Sequence, residues 1–334
     1  MSTATCTRTT MPSLAKAVIS SAATGIIIGC VIRVDQSMGS LEEKVKKHQI
    51  AIVSILLFSG LFLHACGSVQ MLNPTPSASP TSVPTSIDTP EPTATEITIT
   101  MKCDDEALID SADYRAENNT WGKGNLSGWS QCIGIGTGAD GALAGRWTWD
   151  WLNSGSNVKG YPEIIFGQKP GTTTTTKALP IRISDIGSAS IFYDVTSSNT
   201  GSGNVAFDLW LTDTPNPSTF GVPPITHEIM IWLDRQGGMG PGGAFSERVS
   251  LDGPTYAVFV ADHWGDGWKY IAFISAKPAL ETGTIDLVSF LSYMREKNLV
   301  TGDEYLASIE FGNEVVTGNG ETIVKRYTVS IQKK

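Results

Sequence analysis

The feature that most constrains the fold of this chain is a two-residue alternation recurring beyond residue 97. In THEIMIWLDR, Ile229, Ile231 and Leu233 fall on one face of an extended strand, and Glu228, Met230 and Trp232 fall on the other. GNVAFDLWL sets Val205, Phe207, Leu209 and Leu211 against Asn204, Ala206, Asp208 and Trp210. In LASIEFGNEVV, Ile309 and Phe311 share one face while Glu310, Gly312 and Glu314 share the other. A slip of one residue would drive these acids into a core, so the register is pinned. Three strands therefore each bury one side and present carboxylates on the other, two of them beside tryptophans.

The surrounding sequence reads the same way. PIRISDI, ASIFYDVTS, TYAVFVADHW, KYIAFIS and IVKRYTVSIQ are further short strands between Gly, Pro, Asn and Ser turns. One helix is predicted, in TIDLVSFLSYMREKN. Leu287, Leu291 and Met294 lie at helical spacing there, with Thr284 as cap and Asp286 in the first turn. Many strands and one helix predict an all-β fold, a β-sandwich or jelly roll, over residues 97–334.

The segments before residue 97 are of other kinds. Residues 38–66 carry a basic patch (Lys44, Lys46, Lys47), an apolar run from Ile50 to Leu63, and LHAC ending at Cys66. This resembles a bacterial lipoprotein signal, in which Cys66 is lipidated and becomes the mature N-terminus. Residues 1–37 are an extension of unassigned role with an apolar run of their own. Residues 67–96 are a Pro/Thr/Ser linker with almost nothing to bury, a spacer between anchor and domain. The expected location is therefore exported, extracellular or at the cell surface, held by a lipid anchor. Export also favours a disulfide between Cys103 and Cys132, the two cysteines beyond the linker.

Charge narrows the ligand. The formal net charge is −9, and residues 97–334 hold 18 basic and 27 acidic side chains without a basic stripe. Nucleic acid and anionic polymers are poor partners for such a surface. No cofactor is expected. No metal site is expected either, because His227 and His263 lack neighbours at ligand spacing. A face of carboxylates flanked by large apolar side chains suits a neutral ligand with apolar faces and hydroxyl edges, which describes a sugar. Taken singly, Asp208 is an ordinary solvent-facing acid, and Trp232 a sheet-packing aromatic with Met230 as filler. Only their coincidence on the non-core faces points to a site.

The motifs have a counterpart. HEIMIWL resembles the nucleophile strand of glycoside hydrolase family 12, the β-jelly-roll endoglucanases, and EFGNE resembles that family's acid/base segment. NVAFDLWL resembles its third carboxylate strand, NNTWG its sugar-stacking segment, and WDWLNSGSNVKGYPEIIFG its Trp-x-Trp stretch followed by NVK-x-Y. The spacing of Cys103 and Cys132 also resembles the family's N-terminal disulfide. The resemblance implies a sandwich of two antiparallel sheets with a concave substrate cleft and one helix. It implies Glu228 as nucleophile, Glu314 as acid/base and Asp208 as the carboxylate supporting the nucleophile. Trp121 is implied to stack a sugar in the glycone half. Asn119, Met230, Trp149, Trp151 and Trp268 are further expected substrate contacts, and Gly240–Gly243 an aglycone-side loop. The implied activity is retaining, endo-acting hydrolysis of a β-1,4-glucan (cellulose-like, mixed-linkage or xyloglucan) by a monomer. The alternative is a non-catalytic β-sandwich glycan-binding module, which has no need of Glu228 and Glu314 together. A sandwich hydrolase of xylan shares the chemistry but not the EIMIW and FGNE signatures.

Overall fold

The computed structural model describes residues 98–138, 140–151, 155–279 and 281–334. The signal, linker and Cys66 read from the sequence lie outside the described residues. In chain order the strands are β1 (Leu108–Ser111), β2 (Tyr114–Asn119), β3 (Ser130–Thr137), β4 (Leu143–Trp151), β5 (Tyr161–Gly167), β6 (Ile181–Arg182), β7 (Ile186–Asn199) and β8 (Gly203–Thr212). They continue with β9 (Ile225–Gln236), β10 (Ala244–Ser250), β11 (Thr255–Trp264), β12 (Trp268–Ser275), β13 (Glu281–Asp286), helix α1 (Leu287–Glu296), β14 (Tyr305–Gly312) and β15 (Gly318–Lys333).

They form two sheets. The larger runs β1-β2-β5-β14-β8-β9-β12-β11-β10, with β6 paired to β14, and the smaller runs β13-β7-β15-β4-β3. All pairings are antiparallel except β9 with β12, which is parallel. The alternation in the sequence explains the layering. Val205, Phe207, Leu209, Ile229, Ile231, Ile309 and Phe311 of the larger sheet meet Ile191, Val195, Trp147 and Tyr327 of the smaller in one buried core. Phe207 and Phe311 lie 4.7 Å apart, and both pack on Tyr327. Burial of such side chains contributes roughly 1.5–3 kcal/mol each. The opposite face of the larger sheet is left for the cleft.

One detail differs from the sequence reading. Helix α1 is capped by Asp286, whose carboxylate accepts from the Val288 N–H, while Thr284 belongs to β13. Asp286 turns the chain out of a strand, and its acceptor satisfies a first-turn donor that Thr284 is too early to reach. Cys103 and Cys132 form the expected disulfide, tying the segment before β1 to β3. Closing a loop of 29 residues constrains the unfolded chain by about 3–4 kcal/mol. Among the described residues no helix is long and apolar enough to cross a membrane.

Candidate active site

Glu228 stands near the start of β9 on the cleft face. Directly across in register are Trp210 on β8 and Tyr270 on β12. The Trp268 indole Nε1 donates to Glu228 Oε2 at 2.7 Å. Trp268 is itself boxed edge-on by Trp210 and Phe220. Besides lining the cleft, where a sugar contact is expected of it, Trp268 fixes the carboxylate through its indole. Met230, one pleat along, accepts weakly at Sδ from the Trp232 indole and the Tyr270 hydroxyl. Trp232 is thereby packed into the cleft wall.

Glu314 arrives differently from the sequence reading. β14 ends at Gly312, so Glu314 does not continue the strand alternation. Asn313 turns inward, accepting from the Trp147 indole and donating to the Asn204 carbonyl. The Asn204 side chain then holds Glu314 twice. Its Oδ1 accepts the Glu314 N–H at 2.9 Å, and its amide donates to Glu314 Oε2. The side-chain amide of a single β8 residue thus positions the second carboxyl.

Two hollows of about 960 and about 600 Å³ meet at this pair, sharing Trp121, Glu228, Met230, Trp264 and Glu314. The larger is bounded by the Gly237–Gly242 loop, Trp232 and Thr317. The smaller is floored by Asp208, Glu310, Glu163, Glu117 and Lys169 and walled by Trp210, Phe220 and Trp268. Asn119 lines this half as expected. The Trp121 indole, 66% exposed, stands over both.

Trp149 and Trp151 do not belong to the cleft, contrary to the expectation from the sequence. They are 3% and 1% exposed, inside the core between the sheets. β4 lies in the smaller sheet, and its Trp147, Trp149 and Trp151 share the face turned towards the larger one. Trp151 stacks on Trp129 at 4.3 Å and donates to Gln131.

Burial sets the proton affinities. It pushes Glu228 up to about 8, against the opposing Trp268 hydrogen bond and with help from the charge on Glu314. Burial likewise pushes Glu314 up to about 7, against the opposing Asn204 bond. The two carboxyls together therefore hold about one proton near neutral pH. That proton belongs to the pair rather than to either carboxyl, and the roles within it are set by position relative to the substrate. Asp208 is raised well above the carboxylate range by burial, then by the charges of Glu228 and Glu310. Its Oδ1 has no hydrogen-bond partner in the protein, and the expected bond to Glu228 is not formed.

Known proteins fall in line with this geometry. The model of glycosyl hydrolase family 12 matches residues 112–332, well over half of the chain. The chain belongs to glycosyl hydrolase family 12. Endoglucanase S of Pectobacterium parmentieri is 30% identical over 236 residues, covering 68% of this chain and 85% of that protein. A xyloglucan-specific endo-β-1,4-glucanase A of Emericella nidulans is 28% identical over 245 residues, covering 71% and 95%. Among solved structures, a family 12 xyloglucanase from Bacillus licheniformis superposes with a TM-score of 0.62 at 28% identity, covering 70% of this chain and 100% of that one. The family 12 chain described here is thus a glycoside hydrolase. It departs from the sequence reading chiefly in what surrounds the paired carboxyls. Asn204 was visible on the correct face. Lys169, Glu163, Glu117 and Phe220 were not picked out, because nothing short of strand neighbourhood brings them together.

Proposed function

We propose that this family 12 enzyme is a retaining, endo-acting β-1,4-glucan hydrolase with Glu228 as nucleophile and Glu314 as acid/base. The observation that carries the reading is the placement of Glu228 and Glu314 at the junction of the two hollows, each oriented by its own hydrogen bond. A groove open on both sides of the reacting pair suits an internal bond of a polymer. Cleavage passes through an oxocarbenium-like state. Glu228 attacks the anomeric carbon while protonated Glu314 gives its proton to the departing oxygen. Formation of the glycosyl-enzyme removes the charge on Glu228, so Glu314 more readily gives up a proton and acts as base on the incoming water. Asp208, buried and neutral at rest, adds no charge that would compete for the proton of Glu314. Two displacements restore the β configuration. Proton NMR in the first minutes of β-glucan hydrolysis is therefore expected to show β reducing ends ahead of the α form. An initial α product would mean inversion and a different role for Glu228.

Trp121 is the glycone platform in this reading. Trp121→Ala is expected to lower kcat/KM on cellotetraose by roughly tenfold, a loss of about 1.4 kcal/mol. An unchanged value would remove the ring from the site. Substrate breadth follows from the relatives, among which are both endoglucanases and xyloglucan-specific enzymes.

The enzyme is further proposed to act as an exported monomer tethered through lipidated Cys66, on the strength of the basic patch, apolar run and LHAC of the sequence. The disulfide between Cys103 and Cys132 is in keeping with an oxidising compartment. Labelled palmitate is expected to mark the wild type in a bacterial host and not Cys66→Ser. Unlabelled wild-type protein free in the medium would argue for simple secretion.

A further inference from the structure

The Trp121 ring is the most exposed large hydrophobic side chain among the described residues, so packing does little to hold it. Its place must come from its backbone, and the backbone is pinned from beneath the cleft. The Trp121 N–H donates to Asn119 Oδ1 at 3.2 Å. The Asn119 amide Nδ2 donates to Glu163 Oε1 at 2.9 Å. That same oxygen accepts from Lys169 Nζ at 2.7 Å, and Lys169 reaches Glu117 Oε2 at 2.8 Å. Glu163 is completely buried on β5 and touches no solvent.

The order of donors and acceptors matters. An asparagine amide has two faces, one that donates and one that accepts, and either orientation fills the same volume. Glu163 Oε1 takes the Lys169 ammonium and so acts as an acceptor whether or not Oε2 carries a proton, which forces the NH₂ of Asn119 to point at it. Oδ1 is then turned towards the Trp121 N–H. Lys169 keeps the Glu163 oxygen in its accepting role. Other bonds fix the corner around Trp121 without choosing this orientation: Thr120 N–H to Glu106, and Gly122 N–H to the Lys159 carbonyl.

We infer that Glu163 and Lys169 are positioning residues for substrate binding, which act through the amide orientation of Asn119 to set the Trp121 platform. The inference rests on the reading of Trp121 as a sugar contact. Glu163 itself, part of the floor but 0% exposed, offers a substrate no surface to touch.

The test is a double-mutant cycle on cellotetraose and soluble β-glucan. Glu163→Gln keeps the side-chain shape but adds a donor that competes with Asn119. It is expected to raise KM roughly fivefold while kcat stays within about twofold. Lys169→Met should do the same. Placed in a Trp121→Ala background, either change should have no further effect on KM. Binding of cellotetraose to Glu228→Gln and to Glu228→Gln/Glu163→Gln, followed by titration calorimetry, should show the same fivefold loss without turnover. If the Glu163 effect persists in full in the Trp121→Ala background, or if kcat falls as much as kcat/KM, the relay is overturned. If Trp121→Ala alone leaves KM unchanged, the sugar-contact reading falls and the relay with it. Should Glu163→Gln fail to fold, Lys169→Met and Asn119→Ser carry the same cycle, and additivity in either overturns the inference.

Discussion

Replacing Glu228 by glutamine is expected to lower turnover of β-1,4-glucan by about 10³-fold or more, with the far-UV circular dichroism unchanged. The amide keeps the bulk of the side chain and an oxygen for the Trp268 indole to bond, 2.7 Å away in the wild type. It cannot attack the anomeric carbon. Glu314→Gln should instead cost about 10²–10⁴-fold on glucans. Its loss should be much smaller on aryl glycosides, whose leaving groups depart without a proton. That difference separates the two carboxyls even though they titrate as a pair. Asp208→Asn should impair rather than abolish activity, because Asp208 serves the pair only through its place in the floor. The alkaline limb of the pH–rate profile should fall near pH 7 to 8, where burial places the last proton of the pair. Substantial residual glucan hydrolysis by Glu228→Gln would overturn the assignment.

Thermal stability is expected to fall as pH rises from about 5.5 to about 8, the reverse of what paired surface carboxylates produce. The sign follows from the direction of the shifts. Burial raises Glu117 to about 7 and Glu314 to about 7, and it raises Glu163 and Asp208 well above the carboxylate range. A carboxyl with a raised folded-state pKa contributes stability while the unfolded chain is also protonated, and loses it as pH climbs towards the folded value. Glu117 and Glu314 each account for up to ~2 kcal/mol across that window. His227, lowered by burial, pulls the other way below about pH 6.5 but is a single group. Calorimetric Tm values at the two pH values decide it: a flat or rising Tm would mean that these acids are charged and well solvated in the folded enzyme.

How much of this was legible from residues depends on the face they occupy. β8, β9 and the end of β14 each have one mainly apolar side, so their cleft-facing acids could be read off directly. Trp147, Trp149 and Trp151 alternate just as cleanly, but alternation alone does not say which of two sheets a strand joins. Motif resemblance placed Trp149 and Trp151 in the cleft, and sheet membership buried them. Glu314 was read as continuing a strand, but the strand stops two residues short and Asn204 does the placing. β5 is buried on both faces, so Glu163 stood in an apolar run with no period to mark it. Lys169 follows β5 in a loop, and only the β2–β5 pairing brings it under Asn119. β10 and β13 escaped notice because edge strands have weak patterns.

The parallel pairing of β9 with β12 has an evolutionary consequence. Parallel neighbours cannot be joined by a tight turn, so the chain makes an excursion over residues 237–267. It spends that excursion on Gly237–Gly242, Trp264 and the β10–β11 hairpin at the rim of the sheet. Meanwhile β9 is clamped on both sides, by β8 and by β12, and keeps its register whatever the excursion does. Insertions or deletions there can lengthen or trim one bank of the groove without moving Glu228. Descendants of such a fold are free to diversify the polymers they grip while inheriting the bond-breaking apparatus intact.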